Sequence, residues 1–247
     1  MQTLRCSRNV RPGQSARARE LPSRLVKCSS TSSVAETSSK AASQSGARVT
    51  KALKEWAPTI EALGHGEQTV LFRKGGIKEP TFKPEAGTFL LFPTAFHTDQ
   101  QLLKPGVAER YAKAMSLDPK KEAVLVLPYV AEVTGAWTTK DPAVLTATDD
   151  LHVWTEQFIE TRLKWRSSQP LTVLELRVWR LAAPLQLPVE ETLFGCFSWV
   201  DVTQTQSPVA AVDLTGAVPA VSDAEFAQRQ ARLRQALTSI KAEKLDL

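Results

Sequence analysis

The sequence predicts a single α+β domain: a mixed or antiparallel sheet of five or six strands, packed by three helices and followed by a C-terminal helix. Three observations carry that prediction. Short runs rich in β-forming residues recur between Gly and Pro. Stretches with helical spacing separate them without regular alternation, and neither kind is confined to one half of the chain. A partial barrel is one form that a sheet of such short strands can take.

The first element is read as a helix. Leu53, Trp56, Ile60 and Leu63 recur at steps of three, four and three, with Thr50 as cap and Gly64 as stop. Pro58 sits inside that pattern, where it costs roughly 3 kcal/mol and predicts a kink. "TVLFR" (69–73) and "TFLLFP" (88–93) read as strands, and "GVAERYAKAMSL" (106–117) as a short helix stopped by Asp118-Pro119. "EAVLVLPYVAEVTGAW" (122–137) reads as one bent strand or two, with Pro128 interrupting the ladder. Asp149-Asp150 open a helix through Leu163, and "LTVLELRVWRL" (171–181) is the clearest strand. It puts Leu174, Leu176 and Val178 on one face, and Val173, Glu175, Arg177 and Trp179 on the other. "LFGCFSWVDV" (193–202) closes the β-rich part. Ser222 and Glu225 have capping-box spacing before a last helix striped by Phe226, Leu233, Leu237 and Ile240.

Charge divides the chain unevenly. Seven Arg and Lys against Glu20 alone give residues 1–28 a net +6, so the total of +5 leaves residues 29–247 at −1. An Arg-rich, acid-poor leader of this kind reads as a transit peptide, ending near Cys28 and followed by a Ser-rich segment too polar to order itself. The expected organisation is a transit peptide at 1–28, a disordered segment at 29–48, a core domain at 49–203, a linker at 204–221 and an amphipathic helix at 222–247. The Ser/Thr-dense continuation favours the chloroplast stroma, with the mitochondrion as the alternative. No run of about 20 apolar residues offers a membrane span. With Cys6 and Cys28 in the leader, Cys196 is the lone thiol of the core, and its neighbours Phe194, Phe197 and Trp199 predict burial.

Few residues carry recognisable chemistry. "LFRKGGIKEP" (71–80) sets Arg73 and Lys74 before two adjacent glycines, but a phosphate loop needs spaced glycines leading into a helix. Pro80 and Pro84 argue against that helix, so Gly75-Gly76 reads as a tight hairpin turn using positive φ. Arg73 and Lys74 remain candidates for an anion, together with His97, which stands at a strand end with Asp99 two residues on. "TRLKWRSSQP" (161–170) is the nucleic-acid candidate: Arg162, Lys164 and Arg166 for phosphates, and Trp165 to stack a base. Glu175 and Arg177 read as a solvated strand face. His152 reads as a surface or capping residue, and Asp149-Asp150 as helix caps. No His/Cys/carboxylate spacing forms a metal motif, and no pattern identifies a cofactor or catalytic residue.

The strings "ALKEWAPTIEAL", "VLFRKGGI", "FLLFPTAFH", "HVWTEQFIETRLKW", "PLTVLELRVWRL" and "GCFSWV", in that order, give a resemblance. Over about residues 51–201 the chain resembles a cyanobacterial and plastid family known as a domain of unknown function (eighteen-oh-two). The resemblance implies plastid descent and domain limits. It brings no reaction, cofactor or catalytic residue. The expected function is therefore a non-catalytic binding module for a nucleotide, RNA or protein partner. The alternatives are a hydrolase or nuclease acting on phosphate esters, and an interaction protein working through its last helix.

Overall fold

The computed structural model describes residues 48–76 and 79–247. The segment expected to be a transit peptide, 1–28, and nearly all of the expected disordered segment, 29–48, lie outside them. The described part opens with β1 (Arg48–Val49) and β2 (Lys51–Trp56), then passes straight into α1 (Ala57–Gly64). The helix expected from Val49 is thus half strand. Leu53, Ile60 and Leu63 nevertheless bury together in one cluster, so a strand and a helix reproduce the spacing of one helical face. Pro58 lies in the first turn of α1, where its missing N–H removes no intrahelical bond. It starts the helix and kinks nothing.

β3 (Val70–Arg73) and β4 (Thr88–Thr94) fall where the sequence places them. The helix expected over 106–117 divides at Tyr111 into α2 (Val107–Arg110) and α3 (Ala112–Met115). β5 (Val124–Thr139) is one long strand whose register shifts between Leu127 and Tyr129, around Pro128. After α4 (Val144–Ala147) and α5 (Glu156–Lys164) comes β6 (Leu171–Pro188), and then β7 (Trp199–Asp201). The stretch expected as a linker carries β8 (Val212–Asp213) and β9 (Val218–Pro219). α6 (Asp223–Ser239) follows, its N-cap Ser222 accepting from the Glu225 backbone N–H, and β10 (Glu243–Lys244) is the last strand.

Among the described residues, eight strands form one mixed sheet with the path β3-β6-β5-β4-β2-β7, while β9 adds to β6, β10 adds to β5, and β1 pairs separately with β8. β2 and β4 are parallel; the other pairings of this sheet are antiparallel. The expected hairpin after Arg73 is absent, because β3 pairs with β6 while β4 pairs with β2 and β5. The central strand β4 buries both faces, Phe89 and Leu91 in one cluster and Leu90 and Phe92 in another. That explains an apolar run without alternation. On β6, Leu174, Leu176 and Val178 do share one buried face.

The other face of β6 is not solvated. Glu175 is 1% exposed, and its Oε2 accepts from Arg234 Nη2 at 2.9 Å, Gln230 Nε2 at 3.1 Å and Thr134 Oγ1 at 2.8 Å. Arg177 donates to Asp223 and stands over the Phe226 ring. These contacts seat α6 on the sheet, with Leu233 and Leu237 buried beside Trp137, Trp154 and Phe158. The apolar stripe of the last helix is used within the molecule.

Candidate functional site

The sheet curls until its two ends approach each other, and Arg73 spans the approach. As the last residue of β3, it donates through Nη1 to the Lys54 carbonyl at 3.1 Å and to Glu55 Oε2 at 2.9 Å, both on β2. Its Nη2 donates to Ser198 Oγ at 3.0 Å, just before β7. No backbone ladder joins β3 to β2 or β7, so the barrel is not closed. Between these ends opens a cleft of about 600 Å³, lined in part by Arg73, Lys74, Arg162, Trp165, Cys196 and Phe197. The two stretches singled out separately, at 71–80 and 161–170, meet here.

Lys74 belongs to the wall. Its Nζ reaches four carbonyls in the last turn of α5 and just beyond it: Trp165 at 2.7 Å, Arg166 and Gln169 at 3.0 Å, and Leu163 at 3.4 Å. An ammonium has three donors, so none is left for a ligand. Burial lowers the pKa of Lys74, and Lys140 and Arg162 add to the effect. The carbonyls at the end of α5 offset that cost, since the negative end of a helix favours a cation. Gly75 is required for a different reason from the one expected. Its φ is not positive, but a Cβ there would lie 2.0 Å from the Glu79 carbonyl oxygen.

Arg162 is the cation left over. Its guanidinium stands 5.0 Å from the centroid of Trp56 and 5.3 Å from that of Phe158, on which Trp154 stacks at 3.9 Å. Phe158 and Arg162 are one turn apart on α5 and so share a face. Among the described residues the Arg162 guanidinium makes no hydrogen bond or ion pair. Burial lowers its pKa, opposed by the nearby Glu55. Trp165 closes the same end of α5 and is 47% exposed. Arg166 does not line the cleft but backs Trp165, its guanidinium 4.4 Å from the ring and its Nη1 donating to the Gly75 carbonyl. Lys164 points to solvent and pairs with Glu160 at 3.2 Å. His97 is exposed, its ring edge-on to Trp56 at 5.7 Å and its Nδ1 3.1 Å from the Ala95 carbonyl. It is absent from the cleft and does not join Arg73 and Lys74.

Four contributors escaped the sequence. Lys54 is 8% exposed, its Nζ 3.5 Å from the Phe197 ring centroid and 3.4 Å from the Gly195 carbonyl. Burial pulls its pKa down to about 8. Glu55 is held by Arg73, while Cys196 is exposed where burial was expected, and Phe197 beside it is exposed as well. Lys54 and Glu55 were hidden by the helical reading of 51–56; only a strand there turns both residues into the protein. His152 is also misplaced by the sequence. It is 3% exposed, with its ring against Phe72 and its Nδ1 accepting from the Trp154 N–H.

A second cavity of about 690 Å³ lies between α1, α3 and the start of β5, with an apolar lining that includes Ile60, Leu117 and Leu125. His65 and Glu61 meet at its edge, 3.6 Å apart. It is the larger of the two; Arg110, Tyr111 and Lys113 line it, but no residue of 161–170 does. Among the described residues no group of His, Cys, Asp and Glu could hold a metal ion.

The family model described as Domain of unknown function (DUF1802) matches residues 52–232, running past β7 into α6. Nothing among the curated proteins matches the chain. Among solved structures, a mutant of the ASCH protein from Zymomonas mobilis is similar at 12% identity and a TM-score of 0.34, covering 75% of this chain and 96% of that one. ASCH from the same organism is similar at 10% identity and a TM-score of 0.33, covering 73% and 92%. TM-scores of this size carry no argument about fold or ligand.

Proposed function

The chain belongs to the DUF1802 family, whose description assigns no activity, and we propose from its own geometry that it is a binding protein for single-stranded RNA, holding one nucleotide unit in the cleft. The observation that carries the proposal is Arg162: a half-buried guanidinium with no anionic partner among the described residues, opening on the same space as the exposed rings of Trp165 and Phe197. A phosphate would give that guanidinium the charge-assisted hydrogen bonds it lacks. An aromatic face stacks any base and contributes about 1–3 kcal/mol. A volume of about 600 Å³ lies in the range of small-ligand sites. Arg73 shapes the cleft and adds its charge, while its donors are largely committed to Glu55, Lys54 and Ser198.

Fluorescence anisotropy of a labelled ten-nucleotide RNA tests this reading. Arg162→Ala and Trp165→Ala should each weaken binding about tenfold, in keeping with the loss of a charge-assisted contact or one stacked base. Lys164→Ala, exposed and outside the cleft, should leave it unchanged. Equal affinity in all three variants would remove the cleft from consideration. Hydrolysis of phosphate esters is a second reading, supported by Glu79 and Glu85, two carboxylates that line the same cleft. Shortening of the RNA during the same titration would select it.

A further inference from the structure

The cavity of about 690 Å³ between α1, α3 and the start of β5 shares no lining residue with the basic cleft. Its size falls within the range of small-molecule sites. Ile60, Leu117 and Pro128 contribute apolar wall. Val124 and Val126, two residues apart and so on one face of β5, also line it, although they are 40% and 50% exposed. Six large apolar side chains are exposed among the described residues: these two line this cavity, and Trp165 and Phe197 line the cleft. Apolar side chains left open to water at a cavity mark a binding surface, whereas ones scattered singly do not.

A polar group indicates what would bind. Tyr111, also in the lining, is 6% exposed, and its hydroxyl has no hydrogen-bond partner among the described residues. Buried donors in folded proteins are almost always paired, so an orphan of this kind calls for an acceptor from outside. Burial raises the pKa of the phenol, and Glu67 nearby adds to the effect. The Glu67 carboxylate is taken up by Arg110, whose Nε donates to Oε1 at 3.1 Å, and no hydrogen bond joins it to the phenol. Tyr111 therefore stays protonated and has its proton to offer. Charge at the rim is mixed: Glu61, Glu67 and Glu122 stand with Arg110 and Lys113, and His65 lies 3.6 Å from Glu61. Neither sign prevails, and the apolar wall favours an uncharged ligand.

We propose that this cavity is a binding site for a neutral, largely apolar small molecule that carries a carbonyl oxygen. The body of the ligand lies against Ile60, Leu117, Val124 and Val126, and its carbonyl accepts from the Tyr111 hydroxyl.

The test titrates the full chain into prodan, a neutral fluorescent naphthalene with one ketone, and into dimethylaminonaphthalene, which lacks the ketone. Prodan should bind saturably with a Kd below about 100 μM. Tyr111→Phe should weaken prodan at least about fivefold, as loss of one hydrogen bond predicts, and leave the ketone-free probe unchanged. Val126→Asp alters an exposed side chain, and should weaken both probes at least about fivefold by placing a charge against their apolar bodies. Thermal melts of the empty chain supply a second readout. Tyr111→Phe should be at least as stable as the parent, because it deletes an unpaired buried hydroxyl. A lower Tm would mean that the hydroxyl is already bonded within the protein, and would overturn the proposal. Absence of saturable binding, or equal prodan affinity in either variant and the parent, would overturn it too. Because the cavity and the cleft share no lining residue, these outcomes stand apart from RNA binding.

Discussion

Lys74 and Arg162 both line the cleft and carry the same charge, but they differ in what their donors already hold. Four carbonyls take up Lys74, and nothing among the described residues takes up Arg162. The sequence showed both as basic residues near turns and could not separate them, because the carbonyls that claim Lys74 lie some ninety positions away. His152 illustrates the same limit with a measurable consequence. Burial, reinforced by Lys104, lowers its pKa from 6.5 to about 4, while Asp149 and Asp150 oppose the shift. A folded-state pKa below the unfolded one means that the unfolded chain binds more protons between those values. His152 therefore costs nothing above pH 6.5, and folding stability falls as pH drops toward 4. The loss approaches about 3 kcal/mol. Urea denaturation across that interval should show the loss, and His152→Asn should remove most of it. An unaltered pH slope in the variant would assign the loss to other groups.

At the scale of elements, the strands were more legible than the helices. β3, β4 and the first half of β6 were readable because β-rich runs bounded by Gly or Pro leave little choice. α1 was misjudged at its start because buried residues of a strand and of the helix that follows fell into helical spacing, and Pro58 is as compatible with a first turn as with a kink. The docking of α6 was beyond reach, since only the fold shows that Glu175 on β6 meets Arg234 and Gln230. That contact makes a specific prediction. Arg234→Ala leaves a buried carboxylate without its cation and should destabilise the protein by about 2 kcal/mol, a value reduced because the Arg234 side chain is half exposed. Adding Glu175→Gln removes the stranded charge and should restore more than half of the loss in a denaturant titration. If the double variant is no more stable than Arg234→Ala alone, the helix is held by its apolar stripe and the ion pair contributes little.

For the whole molecule, charge distribution decides what kind of binding the cleft can support. The excess positive charge lies in residues 1–28, and residues 29–247 carry a net −1. A broad electrostatic footprint is therefore missing from the part that forms the cleft, and binding must rest on one or two phosphates plus stacking. The logarithm of affinity should then fall with the logarithm of salt concentration at a slope of about −0.7 to −1.4, the value for one or two contacts on a single strand. A slope several times steeper would place the RNA on another surface. The central claim is that RNA lies between Arg162, Trp165 and Phe197, and the most direct measurement is ultraviolet crosslinking of a 4-thiouridine RNA to the intact chain, with mapping of the crosslinked peptides. Crosslinks should fall within residues 162–169 and 194–199. Crosslinks confined to the apolar cavity around Tyr111 and Leu125, or none at concentrations that saturate binding, would contradict the account.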